Sequence, residues 1–171
     1  TATSYPGYAL MVESLGMAVM MELPMVVVLV QRLGPATGSA TTGAQGDLLS
    51  VRGTVSGGIV IPTLCPSNFE DCWTLSAKAI EVATKLRTPV VLLTSKEMMM
   101  TLRSFELSKL PPIECVPWKH YEGSEAYLPY RPGERMVPPF VPVGDSRRRV
   151  RLNASTVSYT HLRAHETVLD L

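Results

Sequence analysis

The sequence has few of the residues that build metal centres and disulfide frameworks. Its three cysteines occur in 171 residues without a C-x-x-C spacing, so neither a disulfide set nor an iron–sulfur or zinc site is readable. We expect Cys65, Cys72 and Cys115 to be small buried apolar side chains. The formal net charge of +1 gives no reason to expect nucleic acid or an acidic membrane surface as a partner.

Long apolar runs are also missing. The most apolar stretch, residues 10–30, is interrupted by Glu13, Glu22 and Pro24, and a membrane span needs roughly 20 apolar residues. We therefore predict no membrane span. The chain begins with Thr1 rather than Met and opens in an apolar pattern, so we expect that the natural N-terminus is missing. The lack of a signal peptide in this sequence is therefore weak evidence about the location of the protein.

The last residues, 157–171, have a sequence that we interpret as translated sequencing adapter and exclude from the fold. Residues 157–167 match the translation of a common transposase-type adapter. The alternative is a genuine helix in which His161 and His165, four residues apart, form half of a metal site. That spacing alone is weak evidence, so we treat His120 as the only genuine histidine and predict no metal site.

What the sequence does contain is an alternation of apolar segments with strand and helix character. We predict strands at residues 1–4, 25–30, 59–62 and 90–93, and helices at 6–22, 45–51, 69–86 and 96–102. The run M-V-V-V-L-V at residues 25–30 is typical of a strand covered on both faces. Ser67 and Glu70 have the spacing of a capping box for the third helix. The order predicts an α/β fold, a mainly parallel sheet with helices on both faces.

The composition changes after residue 109. Residues 110–156 contain eight of the fourteen prolines, which predicts an extended linker followed by the start of another domain. We therefore divide the chain into a partial α/β domain at 1–109, a Pro-rich segment at 110–156 and the adapter-derived tail at 157–171.

Ligands of open parallel sheets bind beyond the carboxyl ends of the strands, and two such ends carry suitable groups. Arg32 follows the second strand, where its planar guanidinium could hold a carboxylate through two parallel hydrogen bonds. The structural alternative, equally open at this point, is that Arg32 pairs with Asp47 or Glu22. The other end is the turn from the first strand at Thr3 into the following helix, whose first backbone N–H groups are free.

Several motifs occur in the order found in one family. The segment T-A-T-S-Y-P-G-Y-A-L-M-V-E (1–13) is similar to T-x-T-S-G-P-G-x-x-L-M-x-E, and V-V-V-L-V-Q-R-L-G-P-A-T-G (26–38) is similar to V-x-V-x-x-Q-R-G-G-P-S-T-G. Q-G-D-L (45–48) and P-P-F-V-P-V-G-D (138–145) follow in family order. The chain thus resembles the alpha subunits of 2-oxoacid:ferredoxin oxidoreductases.

The resemblance implies a truncated thiamine-diphosphate-binding fold that holds the aminopyrimidine ring of the cofactor. A beta subunit would carry the diphosphate-binding domain with Mg²⁺, and an iron–sulfur cluster would lie on a partner subunit or domain. The implied reaction is the oxidative decarboxylation of a 2-oxoacid, of the 2-oxoglutarate type, to an acyl-coenzyme A, with ferredoxin as acceptor in the cytoplasm. The family's cofactor-activating glutamate would precede Thr1, so we expect the fragment alone to be inactive.

The resemblance also assigns site residues. It makes Arg32 the catalytic residue that binds the substrate carboxylate. Residues of the following loop would lie beside the substrate: Gly34, Pro35, Thr37 and Gly38. Residues near the cofactor would be Thr3, Ser4, Pro6 and Gly7.

Three positions depart from the family pattern: Tyr5 and Leu33 replace glycines and Ala36 replaces a serine. Two alternatives to the oxidoreductase stay open. One is a non-catalytic structural subunit, for which Tyr5 and Leu33 are the best support. The other is the pyrimidine-binding domain of another thiamine enzyme, against which the Q-R-x-G-P-x-T-G stretch argues.

Overall fold

The computed structural model describes residues 1–150 except 116, 119, 132, 134, 135 and 149. The segment interpreted as adapter, 157–171, lies outside the described residues, and so does the end of the Pro-rich segment. The interpretation of that tail and the division into domains stay predictions.

The centre of the fold is a four-stranded parallel sheet. Its strands are β1 (Ala2–Ser4), β2 (Met25–Gln31), β3 (Thr63–Leu64) and β4 (Pro89–Ser95), in the order β1-β2-β4-β3. The β-branched and leucine residues of β2 and β4 suit strands that are covered on both faces. Because the strands are parallel, their carboxyl ends share one edge, where Ser4 is paired with Val30 and Gln31 with Ser95.

Helices cover both faces of this sheet. They are α1 (Tyr5–Leu10), α2 (Val12–Met20), α3 (Leu48–Arg52), α4 (Phe69–Leu86) and α5 (Lys96–Met100). Alternate side chains of the strands enter two cores. One core holds Tyr8, Leu15, Val27, Leu29, Val51, Ile61, Val91 and Leu93. The other holds Ala79, Ala83 and Val90, against which Val26, Leu64 and Val82 pack. The α/β prediction is therefore confirmed.

The first predicted helix is two helices. The chain turns at Met11, whose N–H donates to the Tyr8 carbonyl at 2.9 Å, and α2 begins directly after it. Tyr8 is buried, and its hydroxyl lies 2.7 Å from that of Thr54, which fixes α1 against α3. Residues 8–22 are apolar nearly all round, a pattern that predicts a helix buried between layers, and this prediction is wrong because Leu10 and Met17 are exposed.

Other predicted bounds shift by a few residues. The strand predicted at 59–62 is β3 at Thr63–Leu64, since Pro62 lacks an N–H and contributes only its carbonyl, which accepts from Val91 at 2.9 Å. The helix predicted at 45–51 begins at Leu48, and α5 ends at Met100 rather than at residue 102.

The predicted capping box uses the wrong pair. The N-cap of α4 is Asn68, whose side-chain oxygen accepts from the Asp71 N–H at 2.7 Å, and the Asp71 carboxylate accepts from the Ser67 N–H at 2.9 Å. The cap is therefore one residue later than predicted, and the acidic side chain reaches back to the residue before the N-cap rather than to the N-cap itself.

The three cysteines and the start of the Pro-rich segment lie among the described residues. Cys65 and Cys115 are exposed and Cys72 is half-buried, all three free, so the prediction of buried cysteines is wrong. From residue 110 the described chain forms no α-helix and no strand, and it contacts α4 through the Pro111 carbonyl, which accepts from the Trp73 indole at 2.9 Å. Within the described residues, no helix has both the length and the apolar character that crossing a membrane requires.

Candidate active site at the carboxyl edge

Arg32 lies one residue beyond β2, at the carboxyl edge of the sheet. The side chain is half-buried, and its buried Nε has no hydrogen-bond partner within the described ranges of the chain. Among the described residues Arg32 makes no ion pair with either predicted structural partner: Glu22 lies 4.0 Å from Arg87 instead, and Asp47 has a carboxylate oxygen without any partner. The guanidinium is therefore not neutralised by either acid.

A Gly-rich loop (residues 33–43) follows Arg32, and hydrogen bonds between its own backbone groups hold its two ends together. The Leu33 N–H donates to the Thr42 carbonyl at 2.9 Å, and the Ser39 N–H donates to the Leu33 carbonyl at 3.0 Å. Gly38 has φ +55°, and a Cβ there would collide with the Leu33 carbonyl, so this position requires glycine. The predicted substrate-side residues at the tip of the loop are all exposed: Gly34, Pro35, Thr37 and Gly38.

The predicted cofactor-side residues lie at the same edge, where β1 turns directly into α1. They are all half-buried: Thr3, Ser4, Pro6 and Gly7. A Cβ at Gly7 would collide with the Thr3 hydroxyl, so glycine allows this close approach of helix and strand. Tyr5, which departs from the family's glycine, packs against the first core instead of standing free at the edge.

Two buried polar groups at this edge were not predicted as site residues. Asp47 and Thr94 are 7% and 4% exposed, and Asp47 Oδ2 and Thr94 Oγ1 have no hydrogen-bond partner in the part of the chain that the structure describes. Asp47 is held beside β2, since its N–H donates to the buried Gln31 side-chain oxygen at 3.3 Å. Burial raises the pKa of the Asp47 carboxyl. Sequence reasoning could have found Thr94, because it follows a buried run at a strand end as Arg32 does.

Replacing Asp47 with asparagine is expected to stabilise the fold by about 1 kcal/mol near neutral pH. A carboxyl with a folded-state pKa above its unfolded value binds protons more tightly when folded, so its cost in stability is full above the folded-state pKa and disappears below the unfolded value. Urea unfolding should thus show a gain for Asp47→Asn that shrinks as the pH falls through the raised pKa. The control is Glu114→Gln at an exposed position, and a loss of stability for Asp47→Asn at neutral pH would contradict the prediction.

These features together define an α/β ligand-binding domain. Polar groups from several segments lie at or beside the carboxyl edge of its parallel sheet, which is where such sheets bind ligands. Comparisons with known proteins identify the class more closely.

The family model described as "Pyruvate flavodoxin/ferredoxin oxidoreductase, thiamine diP-bdg" matches residues 1–169. The chain is 34% identical over 140 residues to the 2-oxoglutarate synthase subunit KorA of Methanothermobacter marburgensis, covering 75% of this chain and 37% of that protein. It is 33% identical over 135 residues to the 2-oxoglutarate oxidoreductase subunit KorA of Mycobacterium tuberculosis, covering 79% of this chain and 20% of that protein.

A solved structure is similar over the whole chain. It is the 2-oxoglutarate:ferredoxin oxidoreductase from Magnetococcus marinus with 2-oxoglutarate, coenzyme A and succinyl-CoA bound, with a TM-score of 0.80 and 28% identity. The match covers 100% of this chain and 33% of that one. The chain belongs to the thiamine-diphosphate-binding family of pyruvate flavodoxin/ferredoxin oxidoreductases, as the motifs predicted. It spans about a third of the length of the archaeal curated relatives that it matches.

The residues present fit a polar ligand such as the family's cofactor and its substrate. The buried atoms without partners, Arg32 Nε, Asp47 Oδ2 and Thr94 Oγ1, include both donors and acceptors. Leaving such a buried atom unpaired costs about 1–3 kcal/mol. Polar groups of a bound molecule could form hydrogen bonds with these atoms and remove that cost.

Proposed function

We propose that the full-length protein is the alpha subunit of a 2-oxoacid:ferredoxin oxidoreductase and that this chain is part of its pyrimidine-binding domain. The observation that carries the proposal is the position of Arg32, which stands at the carboxyl edge without an ion pair to Glu22 or Asp47. A cation in this state can accept the carboxylate of a substrate as its partner.

Arg32 would bind the 2-oxoacid carboxylate and fix its orientation, which is the main contribution that a positioning side chain makes to a reaction rate. Gly34, Pro35, Thr37 and Gly38 would lie beside the substrate. Thr3, Ser4, Pro6 and Gly7 would line the side of the site that holds the aminopyrimidine ring. When bound, thiamine diphosphate supplies the electron sink on which a 2-oxoacid loses carbon dioxide.

Partner chains complete the proposed enzyme. A beta subunit would hold the diphosphate with Mg²⁺, and an iron–sulfur cluster on a partner subunit or domain would pass electrons to ferredoxin while coenzyme A takes the acyl group. We propose 2-oxoglutarate as the substrate, supported by the names of similar proteins from Methanothermobacter and Mycobacterium. A cytoplasmic location belongs to the same proposal.

The test is a substrate panel on the full-length protein, purified with its partner chain and with thiamine diphosphate bound. We expect reduction of ferredoxin or of a viologen dye that depends on both 2-oxoacid and coenzyme A, with 2-oxoglutarate turned over faster than pyruvate or branched-chain 2-oxoacids. Turnover of pyruvate alone would show that the substrate is pyruvate and not 2-oxoglutarate. If no 2-oxoacid supports dye reduction by the loaded complex, the proposed function is wrong.

A further inference from the structure

The Gly-rich loop is hydrogen-bonded to a side chain of α5. Lys96, the first residue of α5, follows β4 as Arg32 follows β2, and the pairing of Gln31 with Ser95 places both at the same edge. The Lys96 ammonium donates to the Thr41 carbonyl at 2.8 Å. A hydrogen bond from a charged donor is stronger than a neutral one, so this contact can hold the second half of the loop.

A second contact lies two residues further along the loop. A Cβ on Gly43 would occupy the place of the Glu97 carboxylate, so α5 and the loop touch closely at this point. Glycine at 43 leaves room for the Glu97 carboxylate, the flexible end of an α5 side chain, which would have to move aside if a Cβ were added. Lys96 and Glu97 therefore both contact the loop.

Lys96 is held in position by the strand that precedes it and by the cap of α5. β4 is buried along its length up to Thr94, and the Ser95 hydroxyl caps α5 by accepting from the Met98 N–H at 3.3 Å. At its other end the loop is closed by the hydrogen bonds of Leu33 with Ser39 and Thr42. A movement of the Thr41 backbone would therefore also move the exposed residues at the tip of the Gly-rich loop.

We propose that Lys96 is a positioning residue that holds the Gly-rich loop beside Arg32 and so sets the affinity for the 2-oxoacid. The inference rests on the proposed function for its consequence, but the contact between α5 and the loop does not. Lys96 touches the loop backbone and acts on the substrate only through it. Its removal leaves Arg32 in place, so binding should suffer more than turnover.

The first experiment replaces Lys96 with methionine in the full-length complex, which removes the charge and keeps most of the length. We expect the KM for the 2-oxoacid to rise about tenfold while kcat changes by less than about threefold. Lys96→Arg, which keeps a charged donor, should restore most of the affinity. The matched control is Lys85→Met, which removes an exposed lysine paired with Glu81 on α4.

Hydrogen exchange measured by mass spectrometry gives a readout that is independent of activity. The backbone amides of Leu33, Ser39 and Thr42 are hydrogen-bonded within the loop, and they should exchange several-fold faster in Lys96→Met than in the parent. Gly43→Ala should also accelerate their exchange by displacing Glu97, and Gly43→Ala/Glu97→Ala should bring it back towards the parent rate.

The outcomes separate the two proposals. Absence of any 2-oxoacid turnover in the parent would defeat the proposed function, while the exchange rates would still decide whether α5 holds the loop. Unchanged exchange in both Lys96→Met and Gly43→Ala would overturn the contact. Faster exchange with an unchanged KM would overturn the positioning role of Lys96.

Discussion

Replacing Arg32 with alanine in the full-length complex is expected to lower kcat/KM for the 2-oxoacid by roughly 30- to 900-fold. In the proposed function the change would remove the charged partner of the substrate carboxylate at a half-buried position, which costs about 2–4 kcal/mol. We expect both a higher KM and a lower kcat, because the same contact holds the substrate and orients it. Steady-state dye reduction against 2-oxoacid concentration measures both constants.

Two further variants show whether the geometry of Arg32 matters beyond its charge. Arg32→Lys keeps the positive charge but loses the planar fork, so it should recover only part of the loss. Arg52→Ala removes an exposed arginine at the end of α3 and should leave the kinetics unchanged. Parent-like kinetics of Arg32→Ala would show that the substrate carboxylate binds elsewhere.

The position of Arg32 was predictable because it depends on one local rule. A continuous β-branched run makes a buried strand, and the residue after it must emerge at the edge of the sheet. The same rule applies to Lys96 after β4, and it would have directed attention to that side chain. Its partner could not be predicted, since Thr41 is 55 residues away and the loop has no periodic pattern.

One prediction failed for a local physical reason and another involves a contact between distant segments. Whether Ser67 or Asn68 caps α4 depends on which residue leaves the extended conformation first, and both have capping side chains with an acidic residue three positions later. Within the first predicted helix, Tyr8 is fixed to Thr54, two residues beyond the end of α3, and the chain turns at Met11. Such a contact between distant segments has no signal in a helical pattern that is apolar nearly all round.

The second large effect is expected at the opposite edge of the sheet, where replacing Arg87 with methionine should destabilise the fold by about 2–4 kcal/mol. Arg87 is 7% exposed, and its Nη1 donates to the carbonyls of Pro138 and Pro139 at 3.3 and 2.8 Å. The guanidinium also lies 5.3 Å from the Phe140 ring centre. It therefore fastens the Pro-rich segment to the end of α4. Urea unfolding followed by circular dichroism measures the loss.

The backbone at Arg87 provides a matched control. The residue follows α4 in the left-handed conformation, with φ +52°, where glycine is favoured. Arg87→Gly removes the same side-chain contacts but relieves that strain, so its loss should be smaller than that of Arg87→Met by roughly 1 kcal/mol. Equal losses would mean that the side chain alone accounts for the effect.

The pH dependence separates the loss of contacts from the exposure of a buried charge. Burial raises the pKa of Glu22, and Arg87, 4.0 Å away, lowers it in part. Without Arg87 the pKa of Glu22 should rise further, so the folded state of Arg87→Met binds a proton more tightly than the unfolded chain. Its deficit should then be largest near neutral pH and shrink as the pH falls through the raised pKa. Glu22→Gln in the same chain should remove this dependence, whereas a deficit that is constant with pH would assign the whole loss to the contacts with Pro138, Pro139 and Phe140.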